Sequence, residues 1–335
     1  MSNLFSGINA RLRGSKTGGS KSPTNSSTPT TDAQSPSSAT VQKRPSFEIT
    51  AAPATAPSLP PLSSAISTSM STAGDKSPDS DSIALPLWLN PLYTKHIVKG
   101  NFMTLSARPK SVEQGEWIAH HVVEHYRILW IFVRLVYEKE KDGNTICNST
   151  SCPKMSAGKN HSYTWLNSRL EPIELPAREY MTLMQRWISG KIDDPKIFTT
   201  DPATTSFADN PTLAPSTPHP FQNSDGEDWV GKKSGFPKEF INVSRAIFLQ
   251  MFRVYSHLYW DHFVDPFYHL ELEKHLNSCF SHFMLTATSL NMLRPEDVEP
   301  MQNLIDLWAA NGTFPPESKA YGLANVENGK RFMQQ

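Results

Sequence analysis

The sequence predicts an all-α fold, a bundle of four or more helices with small peripheral additions. Apolar residues recur at three- and four-residue steps over several long stretches, the spacing that collects them on one side of a helix. Neither an alternating strand series nor a βαβ rhythm appears. All eight tryptophans lie after residue 82, so the material for a core is concentrated in the rest of the chain.

Residues 1–82 are rich in Ser, Thr and Pro and hold only two aromatics, Phe5 and Phe47. So few large apolar groups cannot offset the entropy of ordering, and a disordered tail is expected there. It carries Ser-Pro or Thr-Pro steps at Ser22, Thr28, Ser35 and Ser77 and a basic-flanked Ser46. These are phosphoacceptor candidates, although a tail of this composition yields such pairs by chance equally well. A domain is expected over 83–315, with a short tail over 316–335.

Within the domain, residues 111–141 read as one long helix. Ser111 and Gln114 fit a capping box, and Trp117, Ile118, Val122, Tyr126, Leu129, Phe132, Val133 and Val136 follow helical steps. Their spread over more than one narrow stripe predicts a central, largely buried helix. A loop with Cys147 and Cys152 follows. Residues 162–166 and 171–175 then flank Asn167-Ser-Arg-Leu170 as a small β-hairpin. Pro176 opens a helix through Ile188, with Tyr180, Met184 and Trp187 on one face and Gly190 at its end. Residues 199–235 contain Pro202, Pro211, Pro215, Pro218 and Pro220 and read as a disordered insertion, because helical pattern resumes beyond them. Further helices are expected over 237–262, 270–290 and 296–310, the last stopped by Gly312.

Three cysteines are too few for a secreted disulfide framework, and the first residues lack the apolar core of a secretory signal. No apolar run is long enough for a transmembrane segment. A reducing compartment is therefore expected, and free thiols with it. A formal net charge of zero gives no argument for nucleic acid.

Free thiols at C-x4-C spacing raise the question of a metal. Cys2His2 zinc sites pair such cysteines with H-x3–5-H, and His257 and His262 form an H-x4-H. The two halves lie about a hundred residues apart, so the site would clip the loop after the long helix to the end of a later one. Five residues of ideal helix put His257 and His262 roughly 140° apart. Both can reach one ion only if the last turn loosens. Thiolate and imidazole suit zinc, and four ligands close its shell, which favours a structural role over catalysis. The same pattern is also left by two buried loop thiols and a pair of capping or core histidines, and spacing alone leaves both open.

The other histidines offer less. His120, His121 and His125 sit on the long helix with no partner at evident spacing; His275, Cys279 and His282 could form a second site, but ordinary core packing is the preferred reading. No H-E-x-x-H, Walker A loop, G-x-G-x-x-G or G-x-S-x-G is present, so no enzymatic activity is expected. On the long helix Glu113, Glu116, His120 and Glu124 form an acidic stripe beside Trp117. Such a stripe can receive a basic helix, with Trp117 as anchor. On these residues alone, a solvated face with Trp117 turned inward is preferred.

Four motifs in order now carry a resemblance. They are Gly115-Glu-Trp-Ile-Ala119; Cys147-x4-Cys-Pro153 with Met155-Ser-Ala-Gly158; Phe252-Arg-Val-Tyr-Ser-His-Leu-Tyr259 with His262; and His275-Leu-Asn-Ser-Cys-Phe-Ser-His-Phe283. Over roughly residues 85–311 the chain resembles the Mob/phocein family of kinase co-activators. The lead-in Asn90-Pro-Leu-Tyr-Thr-Lys-His-Ile-Val-Lys-Gly100 is similar to the fungal subgroup that partners NDR-type kinases in polarity and morphogenesis. The resemblance implies a Mob-like helical bundle with one structural zinc on Cys147, Cys152, His257 and His262, and no catalysis. It implies binding to the basic N-terminal regulatory region of an NDR/LATS-family Ser/Thr kinase. The contact surface would include Glu116 and Trp117, with Glu113 beside them, which reverses the preference stated above. A phocein-type scaffold in phosphatase or vesicle-trafficking complexes is the alternative. The cytoplasm is the expected location, with the nucleus and sites of growth as further stations. Members that also bind phosphopeptides carry a basic pair where this chain has Leu249 and Gln250, leaving only Arg253 and implying weak phosphopeptide binding.

Overall fold

The computed structural model describes residues 85–139, 143–199 and 228–334. The tail over 1–82 lies outside them, as do most of the insertion and the Lys141 end expected for the long helix.

Eight helices are described: α1 (Pro91–Thr94), α2 (Phe102–Ser106), α3 (Gln114–Val136), α4 (Ala177–Ile192), α5 (Phe240–His262), α6 (Glu273–Ser289), α7 (Gln302–Ala310) and α8 (Val326–Met333). Four two-residue strands form two antiparallel pairs, β1 (Ser156–Ala157) with β2 (His161–Ser162) and β3 (Trp165–Leu166) with β4 (Pro172–Ile173). The β3–β4 pair is the expected hairpin, in shorter form. Asn167 makes its turn, its side-chain oxygen accepting from the amides of Arg169 at 2.9 Å and Glu171 at 3.0 Å.

The centre of the core is α5, packed along the long helix α3 and meeting α6 through aromatic rings. Every residue from Ala246 to Tyr259 is buried, which is why α5 shows no clean polar face in sequence. Tyr255 and Tyr259 meet Phe280 of α6 at ring separations of 5.0 and 5.2 Å. Each such side chain removed from water contributes about 1.5–3 kcal/mol. Helix α3 flanks this pair, with Ile118, Val122, Leu129 and Val133 inward and His120, Arg127 and Arg134 exposed.

Several boundaries differ from expectation. Helix α3 starts at Gln114, and its N-cap is Glu113, not Ser111. A carboxylate at a helix N-terminus meets both the free amides and the positive end of the dipole. Gly190 lies inside α4, which runs on to Ile192. The stretch expected as one helix over 296–310 is a 3₁₀ segment, Pro295–Met301, followed by α7. Packing continues past residue 315, where a tail was expected. Buried Asp306 of α7 accepts from the Asn325 amide at 2.8 Å and from Asn328 Nδ2 at 2.7 Å, seating α8. Among the described residues no helix is long and apolar enough to cross a membrane.

Candidate metal centre and docking face

The cysteine loop is built by its own side chains. Asn148 Oδ1 accepts from the amides of Thr150 at 2.7 Å and Ser151 at 3.0 Å, and the Cys152 amide closes the turn on Asn148 O at 2.8 Å. Neighbouring helices pin both ends. The Cys147 amide donates to Val136 O at the end of α3 (2.8 Å), and the Ala177 amide at the start of α4 donates to Cys152 O (3.1 Å).

Across from this loop stands the end of α5. His257 lies within the helix, whereas His262 has φ −130° and ψ 3° and leaves helical geometry. That departure supplies the loosening that H-x4-H requires, and it leads into a π-helical turn, Phe263–Tyr268. All four side chains are buried, and their ligand atoms lie within 4.8 Å of one another. Cys147 Sγ stands 3.8 Å from His257 Nε2, and Cys152 Sγ stands 3.4 Å from His262 Nε2. Metal–sulfur bonds of ~2.3 Å and metal–nitrogen bonds of ~2.0–2.1 Å in a tetrahedron separate S and N by about 3.5 Å. The four donors therefore fit one metal ion.

The surroundings hold the donors in that role. His257 Nδ1 faces Ser156 O on β1 and Asp261 Oδ2, each at 2.9 Å, so its proton points away and Nε2 turns toward the sulfurs. Burial works to lower the His257 pKa, but Asp261 and the Cys152 sulfur outweigh it and hold the ring up at about 9. The two thiols titrate as a pair. The hydrogen bond from Cys147 pulls Cys152 down, with help from His257 and His262, and the same bond pushes Cys147 up. The four donors by themselves thus favour a single thiolate, on Cys152.

The proposed docking residues share the first turn of α3, all half-buried. Glu113 has a structural role there. One of its oxygens accepts from the Gly115 amide at 2.6 Å, and the other from the Gly231 amide at 3.2 Å. Glu116 Oε1 accepts from Ser234 Oγ at 2.8 Å. Residues 228–235, expected to belong to the disordered insertion, are thereby fastened onto the start of α3. Gly115 and Gly231 permit this approach, because a Cβ on Gly115 would stand 2.5 Å from the Gly231 Cα. Trp117 donates from Nε1 to Ser106 O at 3.4 Å and stacks on His120 at a ring separation of 5.4 Å.

Sequence spacing did not bring out a second buried group. His121 and His125 of α3 meet His282 of α6, with ligand atoms within 4.8 Å of one another. The first two are one turn apart on α3, and that spacing was a usable signal. The third partner is supplied by packing of α6 against α3, which no local pattern reports.

The Cys2His2 cluster gives both thiols and both imidazoles to one point. Four such donors would close the shell of a four-coordinate ion, so fold and site define a helical domain with a buried Cys2His2 cluster fit to hold one metal. The chain belongs to the Mob1/phocein family, whose model matches residues 94–213 and 223–301. Similar proteins include "Maintenance of ploidy protein mob2" of Schizosaccharomyces pombe, 32% identical over 64% of this chain and 72% of that protein. "CBK1 kinase activator protein MOB2" of Candida albicans is 30% identical over 78% of this chain and 69% of that protein. The protein of the same name in Saccharomyces cerevisiae is 31% identical, over 66% and 64%.

Proposed function

We propose that this protein is a non-enzymatic co-activator of an NDR/LATS-family Ser/Thr kinase, binding the basic N-terminal regulatory region of the kinase through the first turn of α3. The observation that carries this is family membership, with fungal relatives named as activators of the CBK1 kinase. Those names favour activation over the scaffold alternative. Glu116 and Trp117 supply the surface chemistry, a carboxylate beside a half-buried indole. Glu113 helps to build that surface, because its carboxylate is engaged by Gly115 and Gly231. The test is binding of the kinase's N-terminal segment to the full chain. Glu116→Arg and Trp117→Ala are each expected to weaken it tenfold or more while the thermal transition stays within a few degrees. Unchanged affinity in both variants would sink the proposal. The cytoplasm is the compartment in which this pairing would operate.

Zinc is the ion the centre would hold, because two thiolates and two imidazoles match its preference, and its role would be structural. Weak phosphopeptide binding is part of the same reading. Buried Arg253 donates to Tyr180 OH at 3.1 Å, and Tyr180 OH donates to Gln250 Oε1 at 2.8 Å, so the remaining arginine is turned into the core. A phosphothreonine peptide held at micromolar affinity and released by Arg253→Ala would overturn this.

A further inference from the structure

We propose that His121, His125 and His282 form a second metal site, taking a divalent transition ion that favours imidazole, such as Zn2+, Co2+ or Ni2+. Its donors come from two helices. His121 and His125 stand one turn apart on the inward face of α3, and His282 faces them from α6. The three rings contact one another, with centroids 5.5 Å apart for His121 and His125, 4.9 Å for His125 and His282, and 5.9 Å for His121 and His282. One nitrogen from each lies within 4.8 Å of the others. A bound set requires about 3.3 Å between nitrogens at metal–nitrogen bonds of ~2.0–2.1 Å, which small side-chain rotations provide.

Unused ring nitrogens point to a ligand. Both nitrogens of His121, both of His125 and Nε2 of His282 are buried with no hydrogen-bond partner. Buried polar groups are as a rule hydrogen-bonded, so five in one spot call for an occupant. The surroundings offer none of their own. Trp117 meets His121 edge-on at 4.5 Å, Phe102 stacks on His282 at 5.6 Å, and Phe248 and Phe283 flank His125 at 6.1 and 5.4 Å. His282 keeps one backbone hydrogen bond, to Leu105, which holds its ring and leaves Nε2 buried without a partner. That is the support metal-binding histidines usually have.

Burial lowers the pKa of all three, His121 to about 3, His282 to about 4 and His125 well below its ordinary value. The rings are therefore neutral at physiological pH, the form that donates a lone pair to a metal. Three imidazoles without a thiolate hold an ion less tightly than the Cys2His2 set, and they leave a position for water. Through His121 the site adjoins Trp117, whose ring meets it edge-on.

The test counts metal on the untagged full chain, produced in zinc-depleted medium with excess Co2+ as the metal and cleared of loose ion by gel filtration. Two cobalt ions per chain are expected in wild type. One should show thiolate-to-cobalt charge transfer in the near-ultraviolet and the other only d–d bands. His125→Phe and His282→Asn are each expected to hold one ion and keep the thiolate band, which also reports that the variant is folded. One ion in wild type would overturn the proposal, as would two ions that survive both substitutions. Should a variant unfold and lose the thiolate band, the wild-type count still decides.

Discussion

Glu113 shows how much one carboxylate can carry. It caps α3 through the Gly115 amide and fastens the chain that returns after the insertion through the Gly231 amide. Loss of a helix cap costs about 0.5–2 kcal/mol, and here a second contact goes with it. Glu113→Ala is therefore expected to lower the thermal midpoint by several degrees, measured by circular dichroism. No shift would mean that water replaces both contacts at no cost. Glu116→Arg is expected to leave the midpoint nearly in place, since among the described residues its carboxylate accepts one hydrogen bond, from the Ser234 hydroxyl. In sequence the two glutamates are equivalent members of an acidic stripe. What separates them is the segment folded over the helix start, which arrives 118 residues later.

At the scale of elements, the long helices were legible because their apolar spacing repeats over many turns. The short ones were not. Helices α1 and α2 have four and five residues, too few for a period to register. Their signals lie in the caps: the side chain of Asn90 accepts from the Leu92 amide before Pro91, and that of Asn101 accepts from the Thr104 amide. Helix α8 was missed for another reason. Its hold on α7 is polar and close, made by Asp306 and by Gly329, and apolar spacing cannot reveal it. Gly329 gives a test in which two effects oppose. Alanine raises helix propensity by about 1 kcal/mol relative to glycine. A Cβ there would collide with the Asp306 carbonyl, a backbone group that cannot swing aside. Forced overpacking costs about 1–3 kcal/mol, so the clash is expected to win. Gly329→Ala should lower the thermal midpoint and speed hydrogen exchange of the α8 amides. A stabilised variant would show that α8 shifts freely on α7.

For the molecule as a whole, the Cys2His2 centre joins parts that contact order alone would leave loosely tied. Cys147 is anchored to the end of α3, Cys152 to the start of α4, and His257 to β1, while both histidines belong to α5. The four donors were legible because each half has metal-like spacing and their types match one ion. The histidine trio was not, since its third member reaches the others only through helix packing. The strength of the centre can be set against the whole fold. Structural zinc in peptides binds with on the order of 10–16 kcal/mol, and a domain's net stability is about 5–15 kcal/mol. Removing the ion should therefore destabilise the domain broadly, not just the loop. Cys147→Ser, or dialysis against a strong chelator, is expected to lower the thermal midpoint by ten degrees or more and to broaden near-ultraviolet circular dichroism. Cys279 provides the control. It is a buried thiol outside the centre, with its pKa pushed up to about 12 by burial, so it packs as a neutral side chain. Cys279→Ser should keep the thiolate–metal signal and cost far less stability. If both substitutions cost the same, the loss at Cys147 is one of packing, and α3, α4 and α5 hold together without the metal.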